Sequence, residues 1–265
     1  MIATEMKYRF NLLMDSITND SSPGFTDREI SVFLTEAQGE FIDSRLPSKR
    51  NMSRETLNET ESAKIAFSAL VKGETLTSSD LASVAADSKF PNEVMFELPS
   101  DFYYSLTERC DILLSSSNSK YSCSESSSYI VSNVSVKPIT EDYYSANVSN
   151  PFKKPNNDVI WRLTYKRDDV TVDAGETGVS GVVRKIHGLI TDGTYSIDKY
   201  FLRYLRRPKP IIVGVLSSPI EGETAIRNCE LDAEFHSDII NLAVKIAAAS
   251  MADQARYQIS KIENQ

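Results

Sequence analysis

Tyr200-Phe-Leu-Arg-Tyr-Leu-Arg-Arg-Pro-Lys-Pro-Ile-Ile-Val213, followed by Cys229-Glu-Leu-Asp232 and an unbroken run from Ala233 to Ile262, is the part of the chain whose reading decides the fold. Its first portion mixes β-prone apolar residues with cations and carries Pro208 and Pro210, which predicts extended backbone and excludes a helix there. After a turn-rich gap, Asp232 is placed to cap a helix, because its carboxylate can accept from first-turn amides that have no partner inside the helix. Phe235, Ile239, Leu242, Ile246 and Ala249 then recur at steps of three and four, with Ile240, Ala243, Ala247 and Ser250 beside them, which predicts a helix with one narrow apolar face. Ala247, Ala248, Ala249, Ser250 and Ala252 are small enough to let a second helix approach closely. The C-terminal helix is therefore expected at the centre of a helical bundle.

The N-terminal end supplies the partners. Met6, Phe10, Leu13 and Ile17 fall on one face of a helix over residues 3 to 17, and the Asn19 to Gly24 stretch ends it. Thr26-Asp-Arg-Glu29 has the form of a capping box, in which hydroxyl and carboxylate satisfy each other's exposed amides. It opens a helix to about Leu46, with Ile30, Phe33, Leu34, Ala37 and Phe41 as its apolar stripe and Gln38, Glu40 and Asp43 facing elsewhere. A more polar third helix is expected from Arg54 to Val71, stopped by Gly73.

Between these ends the pattern changes to strands. Glu97 to Tyr104 reads as a loop followed by a strand that continues through Ser105 to Leu114, and Tyr129 to Lys137 as a half-buried strand, separated by a Ser-rich segment from Ser115 to Ser128 that reads as an exposed hairpin tip or a mobile loop. Ile139 to Tyr144 reads as a short helical turn, Asn150-Pro-Phe-Lys-Lys-Pro155 as a loop, and Asp158 to Lys166 as the plainest strand, with Trp161 in the core. Val182 to Leu189 is a further strand, and Thr191-Asp-Gly-Thr194 a hairpin turn. The expected class is α+β: a helical bundle from residues 1–90 and 216–265, with a β-rich insertion at 91–215.

Composition excludes several functions. At 41% hydrophobic and 25% charged the chain is ordinary for a globular protein, and nothing in it approaches the apolar length that spans a bilayer. Charge runs through the first ten residues, so no secretory signal is read and cytoplasmic synthesis is expected. Cys110, Cys123 and Cys229 have no metal-type spacing with each other or with His187 and His236. The glycines of Gly175 to Gly181 lack the lysine and the strand-to-helix context of a phosphate loop. No convergent nucleophile, base or metal set is apparent, so no catalytic residue, cofactor or metal is assigned and the protein is read as no enzyme. A net charge of -8 argues against a general grip on phosphates. The interleaving of Lys199, Arg203, Arg206, Arg207 and Lys209 with Tyr200, Phe201 and Tyr204 keeps open an alternative, a single-stranded nucleic-acid-binding module using residues 199–209.

Four stretches carry a resemblance: Phe25 to Ile30 leading to Glu36-Ala-Gln38; Asn150 to Pro155 leading to Val159-Ile-Trp-Arg-Leu163; Tyr204 to Val213; and Cys229-Glu-Leu leading to His236 to Val244. In this order they resemble the head-to-tail connector, or ring and adaptor, proteins of crAss-like tailed bacteriophages. The resemblance implies a structural virion protein made in the bacterial cytoplasm, forming a homo-oligomeric ring of twelve copies below the portal, around the channel through which DNA leaves the capsid. Its implied partners are the portal protein and further ring, tail or neck proteins, with DNA passing unbound, no membrane and no cofactor. Candidate interface residues are Tyr257, Ile259 and Ile262 on the last helix, with Arg203, Arg206 and Arg207.

Overall fold

Thr26 and Glu29 form the expected box: the Glu29 carboxylate accepts from the Thr26 amide at 2.8 Å, and the Thr26 hydroxyl accepts from the Glu29 amide at 3.4 Å. They open α2 (Asp27–Arg45), which follows α1 (Ala3–Ile17). The computed structural model describes residues 1–17, 24–45, 65, 67–77, 90–114, 129–168 and 183–263. Within these lie seven strands, β1 (Val71–Leu76), β2 (Glu93–Glu97), β3 (Phe102–Leu114), β4 (Tyr129–Pro138), β5 (Val159–Asp168), β6 (Val183–Ile190) and β7 (Tyr195–Arg206), with α3 (Glu141–Asn147) between β4 and β5 and α4 (His236–Glu263) last. Two compact units result, one of Met1–Leu70 with Arg207–Gln265, the other of Val71–Arg206.

In the helical unit α4 lies against both α1 and α2. Asp232 caps the single 3-10 turn Ala233–Phe235 that leads into α4, accepting from the Glu234 amide. Among the described side chains, Phe235 of that turn and Ile239, Ile240, Ala243, Val244 and Ala247 of α4 are buried; Leu242 and Ile246 are only half-buried and Ala249 is exposed, so the apolar stripe is rotated from the expected one. Contact with two helices instead of one widens the buried face toward Ile240 and Val244. On α2, Gln38 was expected to face outward and is instead fully buried, with no hydrogen bond to either side-chain atom. The segment after β7 is not one extended run through Val213: strand pairing ends at Arg206, and Ile212 makes an isolated bridge to Arg227. Pro208 and Pro210 cannot donate to a ladder. The segment is pinned to α2 instead, the Ile211 amide donating to the Thr35 hydroxyl and the Val213 amide to that of Ser31, both at 3.1 Å.

The sheet unit has the strand order β1-β7-β3-β4-β5-β6-β2. All pairs are antiparallel except β4 with β5, whose parallel connection carries α3 as a crossover element. Alternation explains how both faces are filled. On β5, Ile160 faces a core shared with Phe96, Cys110, Leu189, Tyr200 and Tyr204. Trp161 and Leu163 face the other side and pack with Tyr144 of α3 and Ile190. The sheet curls: Tyr200 on β7 touches His187 on β6 at 2.8 Å although β3, β4 and β5 lie between those strands.

Two local expectations are corrected. Thr191 to Thr194 turns the chain with Gly193 at φ +83, a conformation that suits glycine, but β6 and β7 are not neighbours and the turn is a corner of the curled sheet, not a hairpin. Gly73 lies inside β1, opposite Arg203, and ends no helix; of the third helix expected over Arg54 to Val71, Ile65 and Phe67 are helical, Ser68–Leu70 is a 3-10 turn, Val71 opens β1, and residues 54–64 and 66 are outside the described ones. The Ser-rich segment 115–128 and the glycines of 175–181 also lie outside them.

Candidate functional site

The curl gathers one polar cluster inside the sheet. Glu108 Oε2 of β3 forms an ion pair with Arg162 Nε of β5 at 2.8 Å, with both side chains at least nine-tenths buried. Arg162 Nη1 donates to Thr164 Oγ1 at 2.6 Å and to His187 Nε2 at 2.9 Å. Since Nε2 accepts, the proton of His187 sits on Nδ1 and is donated to Tyr200 Oη at 2.8 Å. The Glu108 charge also acts on Tyr200, so side chains from four strands meet in this cluster. Burial first, then the Arg162 charge, push the His187 pKa down to about 2, so it stays neutral. Burial, reinforced by Glu108, pushes the Tyr200 phenol well up, so it keeps its proton. Each group is committed to the next and enclosed. The arrangement ties strands together and presents no nucleophile or base to a substrate.

Neither Glu108 nor Arg162 stood out in the sequence. The available signal was a lone cation within Val159-Ile-Trp-Arg-Leu163, a stretch buried on both faces. His236 is likewise buried, its Nε2 donating to the Leu231 carbonyl at 2.9 Å and its Nδ1 3.0 Å from the Met1 amine. Cys110 is buried and Cys229 half-buried, both as free thiols; burial pushes the Cys229 pKa up to about 11, away from reactivity. Among the described residues no group of His, Cys, Asp and Glu is arranged to hold a metal.

The basic segment does not form a stacking platform. Tyr200 and Tyr204 are buried in the sheet core, Tyr204 donating to Asp101 at 2.9 Å, so their faces are closed to bases. Lys199 and Arg203 are exposed on β7, while Arg207 pairs with Glu221 at 2.8 Å and Lys209 with Glu223 at 3.8 Å. The alternation that suggested nucleic-acid binding is the in-and-out alternation of a core strand, and that alternative is withdrawn. Arg203 and Arg206 therefore lie in the sheet unit and Arg207 in the helical unit. Tyr257, Ile259 and Ile262 lie on the last turns of α4, where the backbone alone is described.

What the surface offers is apolar groups without cover. Ile2, Tyr8 and Leu12 are exposed at the α1 end, Val215 and Ile226 on the segment before α4, and Phe152 on the loop between α3 and β5. The edge strand β1 carries exposed Lys72 and Glu74, charges that discourage open-ended strand pairing. Among the described residues no helix is long and apolar enough to cross a membrane.

Comparison with known proteins agrees with a site made of surfaces. The family described as phage tail ring protein 3/4 matches residues 1–258. Among similar proteins, Ring protein 4/5 of Bacteroides phage crAss001 is 27% identical over 257 residues, covering 94% of this chain and 93% of the relative. Ring protein 3 of the same phage is 27% identical over 252 residues, covering 94% of this chain and 96% of the relative. The chain belongs to the phage tail ring protein 3/4 family, and is by that membership a structural ring component of a phage particle.

Proposed function

We propose that this protein is a head-to-tail connector: a closed homo-oligomeric ring of twelve copies below the portal, surrounding the channel through which DNA leaves the capsid. The observation that carries the reading is the family match, which runs through both compact units. On this reading α1, α2 and α4 form the bundle of each subunit and the curled sheet is the inserted domain. Tyr257, Ile259 and Ile262, with Arg203, Arg206 and Arg207, belong to contacts with the portal or with further ring, tail or neck proteins. The protein is made in the bacterial cytoplasm, works in the virion without a cofactor, and carries no catalytic activity. The net charge of -8 supports a channel role, since an acidic wall lets phosphates pass without sticking.

Electron cryo-microscopy of purified particles tests the reading. Density for this chain in a closed ring between portal and tail is the expected result; density elsewhere in the particle rejects the connector position, and an open or partial ring rejects closure.

A further inference from the structure

We propose that Phe152 of one copy docks on the outer stripe of α1 of the next copy, an inference that rests on the ring reading above. A ring closes through a heterologous contact, so each copy needs two different and complementary surfaces. Phe152 supplies the first. It is 94% exposed, yet its backbone is built: its amide donates to Asn150 Oδ1 at 3.0 Å, and the Lys153 and Lys154 amides donate to the Asn150 carbonyl. Beyond the tip, Pro155 is buried, and the Asn156 carbonyl accepts from the Tyr195 hydroxyl at 2.8 Å. Single exposed apolar side chains are ordinary on soluble proteins. This one is held on a preformed turn, so little further order is lost when it docks.

The second surface is on α1, whose inner face is already occupied by Ala3, Met6, Phe10 and Met14. Glu5, Tyr8, Leu12 and Asp15 follow at steps of three, four and three, and all are exposed, with Tyr8 at 68% and Leu12 at 58%. The outer stripe thus places two large apolar groups between two carboxylates, Glu5 also making a loose exposed pair with Arg9 at 3.6 Å. Phe152 with the exposed Lys153 and Lys154 has the complementary form, an apolar tip carried beside two cations. An aromatic anchor against an apolar pair, with charges meeting at the rim, is how stable protein contacts are built.

The test is photo-cross-linking in particles grown in cells that supply the full chain with Phe152→p-benzoylphenylalanine. The expected product joins position 152 of one copy to residues 1–17 of another. Because Tyr8 and Leu12 are exposed, Tyr8→Glu combined with Leu12→Glu leaves the fold intact, and should reduce that product at least about tenfold, as loss of a central anchor does. Cross-links to a different protein, to another part of the second copy, or none, in particles that contain the chain, overturn the docking and leave the ring reading standing. Persistence of the product in the double variant overturns it too. If particles made with the unsubstituted chain lack the protein, the ring reading and the docking fall together.

Discussion

Arg162 is a charge that the interior of a curled sheet accepts only because Glu108, Thr164 and His187 surround it. Arg162→Met should leave Glu108 buried without its countercharge and destabilise the fold by about 3–5 kcal/mol, read from denaturant unfolding. Adding Glu108→Gln should recover part of that loss; full additivity of the two changes would show that they do not form a pair. His187 makes the same cluster sensitive to pH. Its folded pKa is about 2, against about 6.5 in an unfolded chain. Between those values the unfolded chain binds a proton that the folded one does not, so stability is full above about pH 6.5 and falls as pH drops below it, by up to about 1.4 kcal/mol per unit. His236, also shifted down chiefly by burial, adds in the same direction. Urea midpoints at pH 7 and pH 5 should therefore differ more for the natural sequence than for His187→Asn, and equal differences would reject the assignment. The sequence placed His187 on a strand in a structural role. It could not show Tyr200, Arg162 and Glu108 around it, because that meeting depends on the curl and not on any local spacing.

Helices were legible where capping and period act locally. The Thr26 to Glu29 box, the Asp232 cap and the apolar steps of α1 and α4 need no tertiary information. What period could not give is which of two adjacent apolar rows is deeper, and so Ala249 and Gln38 were placed on the wrong sides. The edge strand β1 was missed for a related reason: Lys72, Gly73, Glu74 and Thr75 are all exposed, and an edge strand with so little to bury has no apolar alternation. The pinning of residues 211–213 to α2 was equally hidden, since Ser31 and Thr35 resemble ordinary helix-surface hydroxyls. Ser31 donates to the Asp27 carbonyl and accepts from the Val213 amide. Ser31→Ala should leave that buried amide unsatisfied and cost about 1–3 kcal/mol, whereas Ser44→Ala, whose hydroxyl bonds only within its own helix, should cost about 1 kcal/mol or less. Equal thermal shifts for the two variants would show that the clamp contributes nothing.

For the whole molecule, the α+β class and the family were both readable, the first from the change of period along the chain and the second from the order of four stretches. A contact between copies leaves no such mark in one chain. The acidic balance makes one global prediction: the free protein at physiological salt should show no binding of single-stranded or duplex oligonucleotide by fluorescence anisotropy, and micromolar binding lost in Arg206→Ala with Arg207→Ala would contradict the channel reading. The end of α4 makes another. The helix continues to Glu263, and Tyr257, Ile259 and Ile262 lie on its last turns. Terminal helical turns are marginal in water when nothing packs on them. On the connector reading, burying Tyr257, Ile259 and Ile262 against a neighbouring protein would stabilise both the contact and the last turns. Deleting residues 257–265 should therefore leave the thermal unfolding of the isolated chain nearly unchanged and abolish its incorporation into particles. The two readouts separate the cases: a large drop in unfolding temperature would assign this end to the subunit's own core, and normal incorporation into infectious particles would remove it from the interface.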